Sequence, residues 1–183
     1  MNTNGVSIRK ITEEDTDNIL KWRNSPDVNI NFIYRRPLTR EDHLNWLHKK
    51  VETGEVAQFI IHSDVLDRDV GSVYLRDIDN NYRKAEYGIF IGEECARGHG
   101  IGTKAAKLIL EYGFNELELN RIFLRVFARN ERAVASYKKA GFVYEGLFRQ
   151  DVIVDGVKED VVFMSILKED YDKDLQESIK DEN

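Results

Sequence analysis

Residues 97–102 read Arg-Gly-His-Gly-Ile-Gly, and this stretch decides the fold. It lies between an apolar, strand-like run at 85–91 and a segment with helical periodicity. Its three alternating glycines leave the backbone amides uncovered, so an anion can approach them closely. A helix that begins directly after them directs its free N–H groups and the positive end of its dipole at the same place. The stretch therefore predicts a binding loop for a pyrophosphate group.

The glycine spacing excludes two common pyrophosphate-binding loops. The dinucleotide fingerprint G-x-G-x-x-G would need glycine at position 103 or 105, and neither position holds one. A nucleoside-triphosphate loop needs Lys followed by Ser or Thr, whereas here Thr103 precedes Lys104. The glycine stretch instead follows the pattern Arg/Gln-x-x-Gly-x-Gly, formed by Arg97, Gly100 and Gly102. The structural alternative is a glycine-rich turn that only caps a helix.

The bulk composition is that of one soluble domain. The chain has 183 residues, of which 42% are hydrophobic and 33% charged. No apolar run approaches the roughly 20 residues that cross a bilayer, and the first five residues lack a signal-peptide pattern. The single cysteine, Cys95, excludes an internal disulfide and a cysteine-based zinc site. We therefore expect a cytoplasmic protein without a metal centre.

The acidity of the chain is concentrated at its end. The net charge is −6, and residues 168–183 contribute −4 of it through seven acidic side chains and three lysines. This pattern predicts one domain at 1–167 followed by an acidic C-terminal tail at 168–183. No basic face stands out, which argues against nucleic acid as a partner. Nothing in the sequence fixes the oligomeric state, although the closing hairpin and the tail could serve a homodimer.

Hydrophobic periodicity predicts seven strands and four helices. The strands are expected at 6–11, 56–62, 70–76, 85–91, 122–127, 142–154 and 160–167. The helices are expected between Thr12 and Pro26, between Thr39 and Gly54, directly after the glycine stretch, and between Asn130 and Gly141. Residues 27–39 are expected to form a loop, and Asp155-Gly156 a hairpin turn. A strand, helix and strand across the glycine stretch predict one parallel pair in an otherwise antiparallel sheet.

A second motif follows the glycine stretch at a fixed distance. Its positions are Asn130, Ala133, Tyr137, Gly141 and Phe142. The two motifs, in this order, resemble the GCN5-related N-acetyltransferase (GNAT) superfamily. The resemblance covers about residues 83–167. The first 80 residues resemble the ribosomal-protein (RimJ/RimL-like) and polyamine branch in layout.

The resemblance implies a mixed α/β (α+β) fold, the GNAT fold. Its sheet of about seven strands is mostly antiparallel, and a central parallel pair splays around acetyl-CoA, flanked by about four helices. The implied activity is acetyl-CoA-dependent transfer of an acetyl group to a primary amine by direct attack in a ternary complex. A module that binds acetyl-CoA for regulation, without catalysis, is the alternative from another functional class.

Acetyl transfer to an amine needs a base and an acid. A lysine-like ammonium has a pKa of about 10.4, so only about one molecule in a few thousand can attack at neutral pH. Glu86, a carboxylate in an apolar strand, is the predicted base, and burial is expected to raise its pKa. The position matches a catalytic glutamate of the superfamily. Tyr137 is the predicted acid, because a phenol is protonated at neutral pH and the matching tyrosine lies near the CoA sulfur in the family.

Three segments are expected to bind acetyl-CoA: a strand edge, the glycine stretch with the helix start, and the cap of the next helix. Their residues are Ile89, Phe90, Ile91, Arg97, Gly98, His99, Gly100, Ile101, Gly102, Thr103 and Asn130. His99 is expected to contribute only its backbone.

The acceptor side is less specific. Its predicted residues are Trp22, Arg23, Asn24 and Tyr34, among which Arg23 and Asn24 could bind a carboxylate or phosphate of the acceptor. Residues 83–91 and 105–117 resemble spermidine acetyltransferases, and residues 22–28 resemble nucleotide amino-sugar acetyltransferases. The layout also fits an enzyme acting on a peptide N-terminus. Because no acidic pocket suited to a polycation is evident, an unspecified small primary amine is ranked first.

Overall fold

The computed structural model of the chain describes residues 1–181, with side chains described up to residue 176. Within this part a single sheet of eight strands forms the centre of the fold. The strands are β1 (Asn2–Thr3), β2 (Val6–Lys10), β3 (Ala57–Ser63), β4 (Arg68–Asp79), β5 (Lys84–Ile91), β6 (Arg121–Phe127), β7 (Val143–Val154) and β8 (Val157–Leu167). Their spatial order is β1-β2-β3-β4-β5-β6-β8-β7.

Six α-helices flank the sheet in the described part of the chain. They are α1 (Thr16–Asn24), α2 (Pro26–Asn29), α3 (Arg40–Trp46), α4 (Ile101–Glu111), α5 (Glu131–Lys139) and α6 (Lys168–Asp181). Helices α3 and α4 continue into π-helical turns at Leu47–Val51 and Tyr112–Glu116. None of the described helices combines the length and the apolar character needed to cross a membrane.

The seven predicted strands and four predicted helices are all present, and the structure adds three elements. Strand β1 has only two residues, and α2 has only four, so neither carries a periodic signal. The first helix ends at Asn24, before Pro26 as predicted, and Pro26 itself begins α2, where its missing N–H is not needed. Helix α6 occupies most of the predicted acidic tail, and residues 182–183 lie outside the described residues. The proposed boundary between a domain and a tail stays a prediction.

One pair of neighbouring strands is parallel, as predicted. Strands β5 and β6 pair only at Lys84 with Arg121, Ala85 with Ile122, and Glu86 with Phe123. Beyond Glu86 the two strands diverge, while β5 stays paired with β4 and β6 stays paired with β8. The sheet therefore opens into a V between residues 87–91 and the second half of β6.

The two faces of the sheet carry separate apolar layers, because alternate residues of a strand point to opposite faces. On one face, Tyr87 belongs to the large core that includes Leu108 of α4. On the other face, Phe90 packs with Trp22 of α1, with ring centroids 6.4 Å apart. Neighbouring positions on β5 thus meet different helices, and the gap between the strands is reached from both layers.

Strand β7 forms one edge of the sheet and leaves large apolar side chains exposed. Val143 is 57% exposed and Phe148 is 50% exposed. The register with β8 shifts between Tyr144 and Gly146, and again between Phe148 and Val152. The hairpin turn to β8 lies at Asp155-Gly156 as predicted, with φ of 51° and 80°, as a type I′ turn requires.

Close packing of β4 against β5 predicts a stability effect at Gly71. A Cβ added there would lie 2.2 Å from the carbonyl oxygen of Phe90, which is backbone and cannot rotate away. We expect Gly71→Ala to lower the free energy of unfolding by about 1–3 kcal/mol, the range typical of overpacking. Urea unfolding followed by circular dichroism measures this.

Gly146→Ala is the matched control, because an added Cβ at Gly146 meets no atom within 4 Å. Its free energy of unfolding should stay unchanged or rise by less than about 1 kcal/mol. Equal stabilities for the two variants would show that the close approach at Gly71 is not a constraint.

Candidate active site

A cleft of about 840 Å³ opens where β5 and β6 separate. It is lined from both faces of the sheet. Thr103 of α4 and Tyr137 of α5 line it on one face, and Asp27 of α2 and Arg76 of β4 line it on the other. Two molecules can therefore approach the gap from opposite sides and meet between the strands.

The glycine loop lies at one end of this cleft, directly before α4. Gly98 has φ of 88°, and Gly100, the N-cap of α4, has φ of 73°. Both positions need the left-handed backbone that glycine adopts without strain. His99 is exposed and is not among the residues that line the cleft, so its expected backbone contribution stays a prediction.

Gly102 is different, because the protein itself does not require glycine there. Its φ is not positive, and an added Cβ would approach no described atom closer than 3.9 Å, at Ile89 and Ser136. These two neighbours belong to β5 and α5, and both line the cleft. A bound group that passes between them would use the space that a side chain at Gly102 would fill.

Cationic side chains surround the same end of the cleft. Arg97 and Arg132 both line it, and an Arg132 guanidinium nitrogen lies 3.8 Å from the position that a Cβ at Gly98 would take. Lys139, the last residue of α5, also lines the cleft. The Arg97 Nε lies 3.4 Å from the carbonyl oxygen of Ile91, and its Nη1 lies 3.4 Å from the Asp27 carboxylate. Two arginines beside a helix N-terminus and uncovered amides suit a ligand with several phosphate charges.

The open edge of β5 runs from this loop toward the middle of the cleft. Ile89, Phe90 and Ile91 line it, and their strand pairs with β4 on the other edge only. An extended, amide-bearing ligand could add to this edge as a further strand would. Asn130 lines the opposite wall, where its Oδ1 accepts a hydrogen bond from the Ala133 N–H (3.2 Å) and caps α5.

Tyr137 lies in an aromatic group on the α5 side of the cleft. Its ring centroid is 5.7 Å from that of Tyr87 and 6.0 Å from that of Phe142. Burial, with a smaller contribution from Tyr74, raises the pKa of the Tyr137 phenol above its usual range. The phenol therefore keeps its proton at neutral pH and is suited to donate a hydrogen bond rather than to act as a strong acid.

Glu86 lies on the other face, 6% exposed, between two arginines. The Arg125 Nε lies 3.1 Å from its Oε1, and the Arg76 Nη2 lies 3.0 Å from its Oε2. Burial alone raises the pKa of the carboxyl group, but hydrogen bonds and charge from Arg125 and Arg76 outweigh burial and lower it. The prediction of a raised pKa is therefore wrong. Glu86 is an ionised, low-pKa carboxylate.

The hydrogen bonds of Glu86 are unevenly divided between its two oxygens. Oε2 accepts from Arg76 Nε (3.2 Å) and Arg125 Nη2 (3.3 Å) and contacts Arg76 Nη2. Oε1 contacts Arg125 Nε alone among the described groups. A carboxylate offers about four lone-pair sites, so Oε1 retains one for an incoming N–H or a water.

Comparison with known proteins agrees with this geometry. A family model described as an acetyltransferase (GNAT) domain matches residues 6–143. The chain belongs to this family. It is an N-acetyltransferase with acetyl-CoA as co-substrate, and the predicted fold class, activity and co-substrate are confirmed.

Three matches, to two similar proteins, illustrate this membership. Spermidine N(1)-acetyltransferase of Escherichia coli strain K12 is 29% identical over 167 residues, which cover 91% of this chain and 88% of that protein. The crystal structure of spermidine N-acetyltransferase from Vibrio cholerae in complex with CoA and spermine has a TM-score of 0.84 at 24% identity and covers 91% of this chain and 98% of its own. A dodecameric structure of the Vibrio cholerae enzyme has a TM-score of 0.78 at 25% identity and covers 91% of this chain and 96% of its own.

The structure brings only part of the predicted acceptor set of this acetyltransferase to the cleft. Tyr34 lines it and is 72% exposed. Trp22 does not line it, because its ring is 1% exposed in the core and its Nε1 donates to Glu93 (2.8 Å). Asn24 also lies away from it, since its side-chain amide bonds both backbone groups of Leu38.

Arg23 lies behind the acceptor wall rather than in it. Its guanidinium carbon is 3.3 Å from the ring centroid of Phe32, which does line the cleft. Its Nη1 is buried and has no hydrogen-bond partner among the described residues. The predicted contact with an acceptor anion therefore stays a prediction, with Phe32 placed between Arg23 and the open space.

The cleft also holds residues that were not identified from the sequence, among them Arg76 and Tyr87. Arg76 faces Glu86 across the β4–β5 ladder, and only the strand register, which the sequence leaves open, reveals this pair. Tyr87 is 4% exposed, lines the cleft beside Tyr137, and its hydroxyl lacks a partner among the described residues. The alternation of Tyr87 with Ile89 along β5 is typical of a core position and does not reveal that Tyr87 lines the cleft.

The space at Gly102 gives a test of the co-substrate site. We expect Gly102→Ala to weaken CoA binding by about tenfold or more, because the new methyl group occupies room that only a ligand uses. Its free energy of unfolding should stay equal or rise by up to about 1 kcal/mol, since alanine favours helix over glycine. Isothermal titration calorimetry with CoA and urea unfolding measure the two quantities.

Gly146→Ala serves again as the control and should leave CoA affinity unchanged. If Gly102→Ala bound CoA with wild-type affinity, the pyrophosphate group of CoA would have to lie elsewhere along the cleft.

Proposed function

We propose that the acceptor of this acetyltransferase is a small primary amine, which attacks the thioester of acetyl-CoA directly while both substrates are bound. The observation that carries the proposal is the cleft itself, which is lined from both faces of the sheet. On the face covered by α4 and α5, the glycine loop and Tyr137 line the cleft. On the face covered by α1 to α3, Glu86 lines it. Both substrates can be present together, so no acyl-enzyme is needed.

The proposed transfer assigns one group to each proton. The amine nitrogen bonds to the thioester carbonyl carbon, and the carbon–sulfur bond breaks with its electron pair on sulfur. Oε1 of Glu86 receives the amine proton, directly or through one bridging water, and then releases it to solvent. The Tyr137 hydroxyl donates a hydrogen bond to the sulfur and stabilises the leaving thiolate, whose ordinary pKa is about 8.5.

Spermidine is the second candidate acceptor. It is favoured by the similarity to spermidine N(1)-acetyltransferase of Escherichia coli, which is 29% identical to this chain. A peptide N-terminus is a third candidate, for which the exposed, open mouth of the cleft at Tyr34 leaves room. An acetyl-CoA-binding regulatory role would require that no amine be consumed. We further propose that the protein acts in the cytoplasm.

A homodimer is part of the same proposal. The apolar side chains of the β7 edge are the support for it, since Val143, Leu147, Phe148 and Ile153 are all more than two-fifths exposed. A second copy that covered this edge would bury them.

Release of CoA thiol across a panel of amines, amino sugars, polyamines and peptides tests the function. We expect at least one primary amine to be consumed with matching thiol release. Tyr137→Phe should then lower kcat by about 10²-fold or more with little change in the KM for acetyl-CoA, because the hydrogen bond to sulfur forms in the transition state.

Tyr82→Phe is the matched control, since Tyr82 is 75% exposed in the turn between β4 and β5 and does not line the cleft. It should keep wild-type kcat. Tight CoA binding without consumption of any amine would contradict the enzymatic proposal, and an unchanged kcat in Tyr137→Phe would remove Tyr137 from the mechanism.

The low pKa of Glu86 predicts how activity depends on pH. Because the folded-state pKa lies below the usual value, Glu86 is ionised throughout the neutral range and loses its charge only at more acidic pH. We expect the ratio of kcat/KM between wild type and Glu86→Gln to stay constant between about pH 6 and pH 8. The rise of kcat/KM with pH in both enzymes should follow deprotonation of the amine. A ratio that falls toward unity near pH 6 would place the pKa of Glu86 there and contradict the structure.

A further inference from the structure

The acceptor side of the cleft holds more positive than negative charge at its centre. Arg76 and Arg125 both line the cleft and both bind Glu86. Their side chains are 28% and 30% exposed, whereas the Glu86 side chain is only 8% exposed. The two arginines are therefore the more accessible members of this charged group.

The other carboxylates near this point do not restore neutrality. Asp27 lines the cleft, but its carboxylate lies 3.4 Å from the Arg97 Nη1, at the end of the cleft that holds the glycine loop. Asp77 lies 3.8 Å from the Arg76 Nε and is 77% exposed, so its charge is largely screened by water. The pair of arginines around ionised Glu86 therefore leaves about one net positive charge in the acceptor pocket.

The two arginines also have donors to spare. Their described contacts with Glu86 run through Nε and Nη2. None of the contacts described for either residue uses Nη1. Glu86 fixes the planes of both guanidiniums, since Arg76 and Arg125 approach it from neighbouring strands on opposite sides. Such fixed, planar donors suit a carboxylate or a phosphate, which they can bind with two parallel hydrogen bonds.

A polycationic acceptor fits this pocket poorly. Like charges brought together in a partly desolvated site repel, and such repulsion is a recognised source of specificity. The reactive amine must be neutral to attack, but the remaining amines of a polyamine would still be charged at neutral pH. One ionised carboxylate already engaged by two arginines does not compensate them.

We propose that the acceptor is a primary amine that also carries an anionic group, a carboxylate or a phosphate, and that Arg76 and Arg125 bind this group. The inference rests on the proposed function and narrows its acceptor class. Arg76 and Arg125 are thereby specificity residues, which touch the acceptor and not the reacting thioester. Glu86 positions them and keeps its free Oε1 site for the amine.

Matched acceptors test the inference. The phosphate pair is glucosamine 6-phosphate and glucosamine, the carboxylate pair is 4-aminobutyrate and 4-aminobutyramide, and spermidine is the cationic acceptor. For at least one pair we expect kcat/KM to be about tenfold or more higher for the anionic member, mainly through KM. Which pair shows the preference identifies the anion.

Charge-removing variants then locate the recognition. Arg76→Gln and Arg125→Gln should each reduce the anionic-to-neutral ratio of kcat/KM by about tenfold, and Arg125→Lys should retain part of the preference because it keeps charge without the planar fork. The ratio is the readout because a general structural defect lowers both members of a pair equally. Arg149→Gln, an exposed change of equal charge on β7, is the control and should leave the ratio unchanged.

These measurements distinguish an error in the acceptor class from an error in the acetyltransferase activity. If amines are consumed but neutral members or spermidine are preferred, the acceptor class proposed here is wrong and the acetyltransferase activity stands. If the enzyme prefers the anionic acceptor but both glutamine variants keep this preference, Arg76 and Arg125 do not bind the anionic group. If no amine is consumed at all, the proposed function itself fails.

Discussion

Three residue pairs hold β5 against β6, and the site exists because their pairing stops after Glu86. The divergence frees one edge of residues 87–91, which would otherwise be covered by a neighbouring strand. It also lets α4 and α5, which follow the two strands, direct their first turns at the same gap. The half-sheets stay together because one apolar core, with Tyr87 on one side and Leu124 on the other, spans both. The binding cleft is thus an interruption in the hydrogen bonding of the sheet, stabilised by the packing behind it.

What could be predicted from the sequence was local. The loop at 97–102, the helix after it and the strand–helix–strand unit depend on glycine spacing and on short-range periodicity, and the structure has them as predicted. Strand β1 and helix α2 are too short for periodicity to reveal. The charge state of Glu86 could not be derived because it depends on Arg76, ten residues before it, and on Arg125, 39 residues after it. The apolar strand was enough to predict that Glu86 is buried. The two arginines that lower its pKa could be found only from the register of β4, β5 and β6.

The net charge of the chain does not describe its cleft. The protein carries −6 overall, yet the charged residues that line the cleft are mostly cationic. They are Arg76, Arg97, Arg125, Arg132 and Lys139, against Asp27 and Glu86. The acidity lies elsewhere, to a large extent in the segment occupied by α6. An anionic co-substrate is thereby attracted to the gap by a molecule whose remaining surface repels it, which favours arrival in the correct place.

The exposed edge of β7 has a consequence for the colloidal behaviour of the protein. An edge strand presents unpaired backbone groups, and most natural edges are kept short, charged or covered. This one extends over 12 residues, with exposed apolar side chains at both ends. The shifts of register near Gly146 and Val152 divide it into shorter straight segments, which limits how far a foreign strand can pair along it. Where this edge is uncovered, high protein concentration therefore favours uncontrolled self-association of the chain, and its solubility depends on how the edge is covered.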